Sequence, residues 1–251
     1  MNKKLAVVMA AGKGTRMRSE LPKVLVPVCS RPMIDFVLDA LQAAGIDQTL
    51  VVVGYRADDV RAALQSRPGV AFCLQAEQLG TGHAVMMCRE HLAEHEGPVL
   101  VVAGDSPLLQ ADSVRRLLAE FEARRPACLL GTGTKPDPTG LGRVVRDGAG
   151  RFAAIVEEKD ATPEQRLIRE VNLSCYLFRA ADLLWALDHL RADNSQREYY
   201  LTDCPGLLQR SGRTVDALCV MQPCEALSIN TPDELAAVER EMIRMRSPAP
   251  S

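Results

Sequence analysis

The chain has 251 residues and a formal net charge of -2, from 30 Lys and Arg against 32 Asp and Glu. That balance excludes a protein that binds nucleic acid through a broad basic face, so any anion site must be a local concentration of positive charge. With 47% apolar and 25% charged residues, no stretch of transmembrane length and enough chain for a substantial core, the composition is that of a globular protein with no expected membrane partner.

The apolar run LAVVMA at 5–10 predicts a buried first strand that breaks into a basic, glycine-punctuated loop, GKGTRMRSELPK. Apolar spacing near 3.6 then predicts helices over 33–45, 57–65, 82–97 and 111–125. Val- and Leu-rich runs between them predict strands over 49–55, 71–74, 98–104 and 127–132. Strand and helix alternating at this rhythm imply βαβ units in an α/β, Rossmann-like, mostly parallel sheet with helices on both faces. Such sheets bind ligands at the carboxyl ends of their strands, where the opening loop sits.

The second half is less regular. Residues 142–158 read as a hairpin around the turn DGAG, followed by helices over 162–170 and 180–190 with a strand at 175–178 between them. A capped helix over 198–212 ends at Gly212, and a strand follows over 214–220. The closing helix starts with Thr231 as N-cap, Pro232 at the first helical position and Glu234 completing a capping box. We expect one globular unit over 1–246, a smaller lobe inserted around 140–225 and a frayed tail at 247–251. The eight cysteines are scattered singly with no CxxC pair, which predicts reduced, mostly buried thiols in a cytoplasmic protein and gives zinc-ribbon and thioredoxin readings no support.

In the opening loop, Gly12 and Gly14 let the backbone approach an anion and adopt positive φ, while Lys13, Arg16, Arg18 and Lys23 supply local cations. The Walker spacing is absent, and the dinucleotide fingerprint fails because position 17 is Met. Asp105 follows a strand directly and reads either as a hard ligand for Mg²⁺ or as a helix cap; Asn230 reads as a cap. In QAEQLGTGHA, side-chain amides can pair with a nucleobase edge because they donate and accept at once. His83 reads as structural or as a support behind ligand-contacting side chains, since no ligand-spaced partner lies near it. Glu157 and Asn172 lie in or beside apolar strands, so they either satisfy each other or face a ligand.

MAAGKGTRM…LPK resembles the signature of the sugar-nucleotide pyrophosphorylases, and LQAEQLGTGHA at 74–84 is similar to the matching segment of the bacterial N-acetylglucosamine-1-phosphate uridyltransferases. The resemblance continues in order through GDSPLL, DPTGLGRVVR, IVEEKDAT, VNLSCYLF, EYYLTD and INTPDEL. It implies a nucleotidyltransferase fold and Mg²⁺-dependent transfer from UTP to N-acetylglucosamine 1-phosphate, giving UDP-N-acetylglucosamine and pyrophosphate. Other sugar 1-phosphates, dTTP, or a non-catalytic nucleotide-sugar sensor stay open beside it. By resemblance, Arg16 and Lys23 act on the phosphates, and Asp105 and Asn230 hold the metal. Ala10, Ala11, Gly12, Gly14, Thr15, Gln75, Gln78, Gly80 and Thr81 bind the nucleotide, and Gly104, Gly142, Glu157 and Asn172 bind the sugar. EYYLTD is expected as a wall of the sugar pocket. The chain departs from the family pattern after Asn172, with NLS where NTG is familiar, a departure that bears on recognition of the N-acetyl group. It also lacks the hexapeptide repeats of an acetyltransferase β-helix, so that second activity is not expected.

Overall fold

The computed structural model describes residues 3–17, 19–194 and 196–246. Arg18 of the basic loop and the tail expected at 247–251 therefore lie outside the described residues. In chain order, β1 is Leu5–Ala10, β2 Pro27–Val28, β3 Arg31–Pro32, α1 Met33–Ala43, β4 Gln48–Val53, α2 Ala57–Leu64 and β5 Val70–Leu74. There follow α3 Thr81–Met86, α4 Arg89–Ala93, β6 Pro98–Ala103, α5 Ala111–Arg124 and β7 Cys128–Thr134. The remainder comprises β8 Arg143–Arg146, β9 Phe152–Val156, α6 Pro163–Arg166, β10 Glu170–Arg179, α7 Ala180–His189, α8 Asp203–Arg210, β11 Val215–Cys219 and α9 Pro232–Arg246.

The central sheet runs β11-β7-β10-β6-β1-β4-β5, with β8 hung from β10 and β9 paired to β8. Neighbours are parallel except around β10, which runs antiparallel to β6, β7 and β8, and in the antiparallel β8–β9 pair. The alternation of β1 explains the layering. Ala6, Val8 and Ala10 face a core shared with α1, α2, α5 and α9, whereas Leu5 and Val7 face a second core shared with α3, α4, α7 and α8. Each fully buried Val or Leu contributes about 1.5–3 kcal/mol, so β1, with Leu5 to Val8 at most 2% exposed, is the fold's anchor.

From β1 the chain order moves to β4 and β5 on one side and to β6 on the other, so the loops after β1, β5 and β6 diverge over one crevice. On the far side β10 changes partner. Cys175–Arg179 pair with Val102–Pro98 of β6, but Val171 pairs with Arg143 of β8. Its register with β7 slips between Asn172 and Cys175, a bulge that bends the strand where the sheet splits. Within the segment 140–225, β10 and β11 thus lie on the main path of the sheet, and the β8–β9 hairpin joins it off that path through β10.

Three expected helices differ from the structure, each through hydrogen bonding. The helix over 82–97 is two, α3 and α4, because Met87 and Cys88 donate to Ala84 and Val85 in tighter i→i−3 bonds. The helix over 162–170 stops at Arg166, because Glu170 pairs with Thr134 and extends β10 back from the expected 175–178. The helix over 198–212 begins only at Asp203; Tyr199 is held extended by donating to the Leu79 carbonyl and accepting from Gly82 N–H. Among the described residues, no helix is long and apolar enough to cross a membrane.

Candidate active site

The loop after β1 turns at Gly14, whose φ is +65°. A Cβ there would stand 2.6 Å from Lys23 Cβ, so glycine is what allows the Lys23 side chain to lie across the loop. Gly12 differs from expectation: it is not among the positive-φ glycines, and the space around it is open. Pro22 leads into the short 3₁₀ turn Lys23–Leu25, which aims Lys23 inward, and a second turn, Thr15–Met17, carries Arg16. Lys13 Nζ lies over the Tyr55 ring, 5.2 Å from its centroid.

Two further loops meet these cations. Gly104 N–H donates to the Met9 carbonyl at 2.9 Å, which sets Asp105 at the mouth of the crevice. Asn230 stands before α9, fixed by its N–H donating to Glu234 Oε2 at 2.6 Å. Lys23 Nζ forms a salt bridge with Asp105 and donates to Asn230 Oδ1 at 2.9 Å; Arg16 Nη2 donates to the same oxygen at 3.0 Å. Residues separated by up to 214 positions thus converge on one point. The Asp105 carboxylate and the Asn230 amide oxygen converge on one cation, Lys23 Nζ, which makes them a donor pair of the hard-oxygen kind that suits Mg²⁺. That ion typically takes one or two protein ligands and completes its shell with phosphates and water. Among the described residues, no cluster of three or more His, Cys, Asp and Glu forms an all-protein metal cage.

Beside this point lies a cavity of about 560 Å³ lined by Ala10, Ala11, Gly12, Gly14, Thr15, Arg16, Lys23, Gln75, Gln78, Gly80, Thr81 and Asp105, among others. Every residue expected at the nucleotide is therefore in one place. Gly54 makes the junction possible, since a Cβ there would meet both Ala11 and Gln78 at under 3 Å. Gln75 is 3% exposed, and its amide nitrogen donates to the Gly80 carbonyl at 3.0 Å and bonds His83 Nδ1 at 3.1 Å. That accounts for His83 as a structural residue. It also leaves Gln75 an acceptor oxygen and no free donor.

A smaller cavity of about 160 Å³ is lined by Gly142, Glu157, Asn172, Tyr176 and Thr202. Gly142 admits a close approach: a Cβ would lie 3.1 Å from Ile155. Arg143, 1% exposed, pairs with Glu158, whose carboxylate in turn accepts from Gly140 N–H at 3.1 Å, so the glycine loop is tied down from behind. Glu157 and Asn172 do not satisfy each other. Asn172 Nδ2 donates to Tyr176 Oη at 2.6 Å and its Oδ1 accepts from Ser174 N–H at 3.2 Å, while Thr202 donates to Glu157. Burial pushes the Glu157 carboxyl above its ordinary value, with Asp203 and Asp160 adding repulsion against the Thr202 hydrogen bond. Asp203 is likewise pushed up by burial.

A third cavity, about 240 Å³, carries Arg16, Asp105, Asn230, Lys135 and Glu234. Gly104 is the one expected sugar residue that lines none of the three; it packs under Met9, whose carbonyl would stand 3.0 Å from an added Cβ. Sequence reasoning missed Met9, Ser174 and Glu198. Glu198 and Thr202 lie inside EYYLTD, expected only as a wall, and nothing local marks Met9.

The MobA-like NTP transferase domain model matches residues 6–200. Over 239 residues, the chain is 46% identical to the bifunctional protein GlmU of Pelotomaculum thermopropionicum, covering 95% of this chain and 52% of that protein. The corresponding protein of Syntrophotalea carbinolica is 44% identical, with 95% and 51% covered. The chain thus spans about half the length of the curated relatives it matches. Two solved structures share the fold. A UDP-glucose pyrophosphorylase complexed with UDP-glucose superposes with TM-score 0.78 at 15% identity, covering 98% of this chain and 100% of that one. A putative glucose-1-phosphate thymidylyltransferase from Bacillus anthracis gives 0.77 at 18% identity, covering 99% and 98%.

Proposed function

For a chain that belongs to the MobA-like NTP transferase family, we propose uridylyl transfer from UTP to N-acetylglucosamine 1-phosphate, with release of pyrophosphate. The observation that carries it is the convergence of Arg16, Lys23, Asp105 and Asn230 between a nucleotide-sized cavity and a smaller polar one. A phosphate oxygen of the sugar phosphate attacks the α-phosphorus as the pyrophosphate leaves. The attacking group is already ionised, so no general base is required, and catalysis rests on positioning and charge neutralisation. Lys23 and Arg16 donate to phosphate oxygens that gain or carry charge in this step. Asp105 and Asn230 would hold Mg²⁺, whose charge would be shared by the phosphates of both substrates. Glu157 accepts from sugar hydroxyls, and Gly142 leaves the ring room to approach. The eight free thiols fit a reducing compartment such as the cytoplasm.

The choice of base follows from Gln75. Its nitrogen is spent on Gly80 and His83, so it recognises a base through Oε1 alone. Uracil offers an imide N–H to such an acceptor, whereas cytosine places a ring acceptor at the same position. With equimolar UTP and CTP, chromatography of the nucleotide sugars formed is expected to show at least about a tenfold preference for uridine, the size of one well-placed hydrogen bond to an otherwise unpaired group. Equal use of the two nucleotides would contradict this role of Gln75.

A further inference from the structure

Ser174 lines all three cavities described above: the nucleotide-sized one, the polar one with Glu157, and the one with Asn230. It sits at the bulge where β10 leaves β6, with φ at +52°, in the left-handed region where non-glycine residues are uncommon. Its N–H is spent on Asn172 Oδ1, but among the described residues its hydroxyl has no hydrogen-bond partner. Asn172 spends its Oδ1 on Ser174 N–H and one amide hydrogen on Tyr176, and Glu157 offers only acceptor oxygens beyond its bond from Thr202. A hydroxyl donor is therefore held free, at a backbone cost, at the seam between the cation cluster and the polar cavity.

We infer that Ser174 is a specificity-determining residue, its hydroxyl donating to an acceptor oxygen on the carbon-2 substituent of the sugar 1-phosphate. The inference rests on the functional reading above and deepens it. In an aldose 1-phosphate, the phosphate belongs with Arg16 and Lys23 and the outer hydroxyls with Glu157. The group at the boundary is then the substituent on the carbon next to the anomeric centre. An acetamido carbonyl there accepts from Ser174; a simple hydroxyl at that position is recognised less selectively.

The test is kcat/KM with UTP for N-acetylglucosamine 1-phosphate and for glucose 1-phosphate, in wild type, Ser174→Ala and Ser174→Gly. Both variants are expected to shift the ratio about three- to tenfold towards glucose 1-phosphate, the range of one neutral hydrogen bond. Ser174→Gly is also expected to raise Tm by about 2 °C, since it relieves the positive φ. An unchanged ratio in Ser174→Ala overturns the inference while leaving the reaction intact, and so does an equal loss on both sugars, which marks a phosphate contact. A shift in Ser174→Gly alone overturns the hydroxyl's role in favour of the backbone's. A wild-type chain that transfers to neither sugar overturns the functional reading and this inference with it.

Discussion

Asn230 Oδ1 accepts from two cationic side chains at once, Arg16 and Lys23, and Lys23 also contacts Asp105. Charges held this way are already oriented and cost little reorganisation when a phosphate arrives. Charged hydrogen bonds contribute about 1.5–3 kcal/mol each. Arg16→Ala and Lys23→Ala are therefore each expected to lower turnover at least about tenfold, at roughly 1.4 kcal/mol per decade. Steady-state rates of pyrophosphate release measure this, and unchanged turnover in either variant would remove that residue from the chemistry. These side chains were legible in the sequence because they cluster in one short loop whose glycines and proline announce its geometry. Ser174 was not. Its left-handed backbone comes from a register slip between β10 and β7, a non-local event that no pattern within NLS encodes.

At the scale of elements, local signals read well where they are self-contained. The capping box of α9 forms as the residues imply: Glu234 N–H donates to Thr231 Oγ1 at 3.3 Å, and Thr231 N–H returns to Glu234 Oε2 at 3.0 Å. The same Glu234 oxygen fixes Asn230 N–H, so this cap connects helix stability to the site. Thr231→Ala is expected to cost about 1 kcal/mol of stability, the usual worth of an N-cap hydroxyl. A shift of the denaturation midpoint towards lower urea checks this, and an unmoved midpoint would show the cap to be dispensable. Elements whose limits are set by partners were less legible. Tyr199 carries a helical pattern yet is drawn out straight by the backbone of Leu79 and Gly82, and Glu170 is taken from a helix into a strand by Thr134.

For the whole molecule, the alternating strands and helices of the first half foretold the parallel sheet, because buried parallel strands need apolar runs on both faces. The insertion of β10 between β6 and β7, antiparallel to both, follows from packing across the chain and brings Ser174 to the crevice beside β6. The proposed function requires that the crevice bring a nucleoside triphosphate and a sugar phosphate to one cation-lined point. It is tested most directly by pyrophosphate release from UTP with and without N-acetylglucosamine 1-phosphate, in Mg²⁺ and again after EDTA. Release that requires both substrates, stops with EDTA and returns with excess Mg²⁺ is the expected result. A metal-replete chain that binds UTP but releases no pyrophosphate with any sugar 1-phosphate would contradict it.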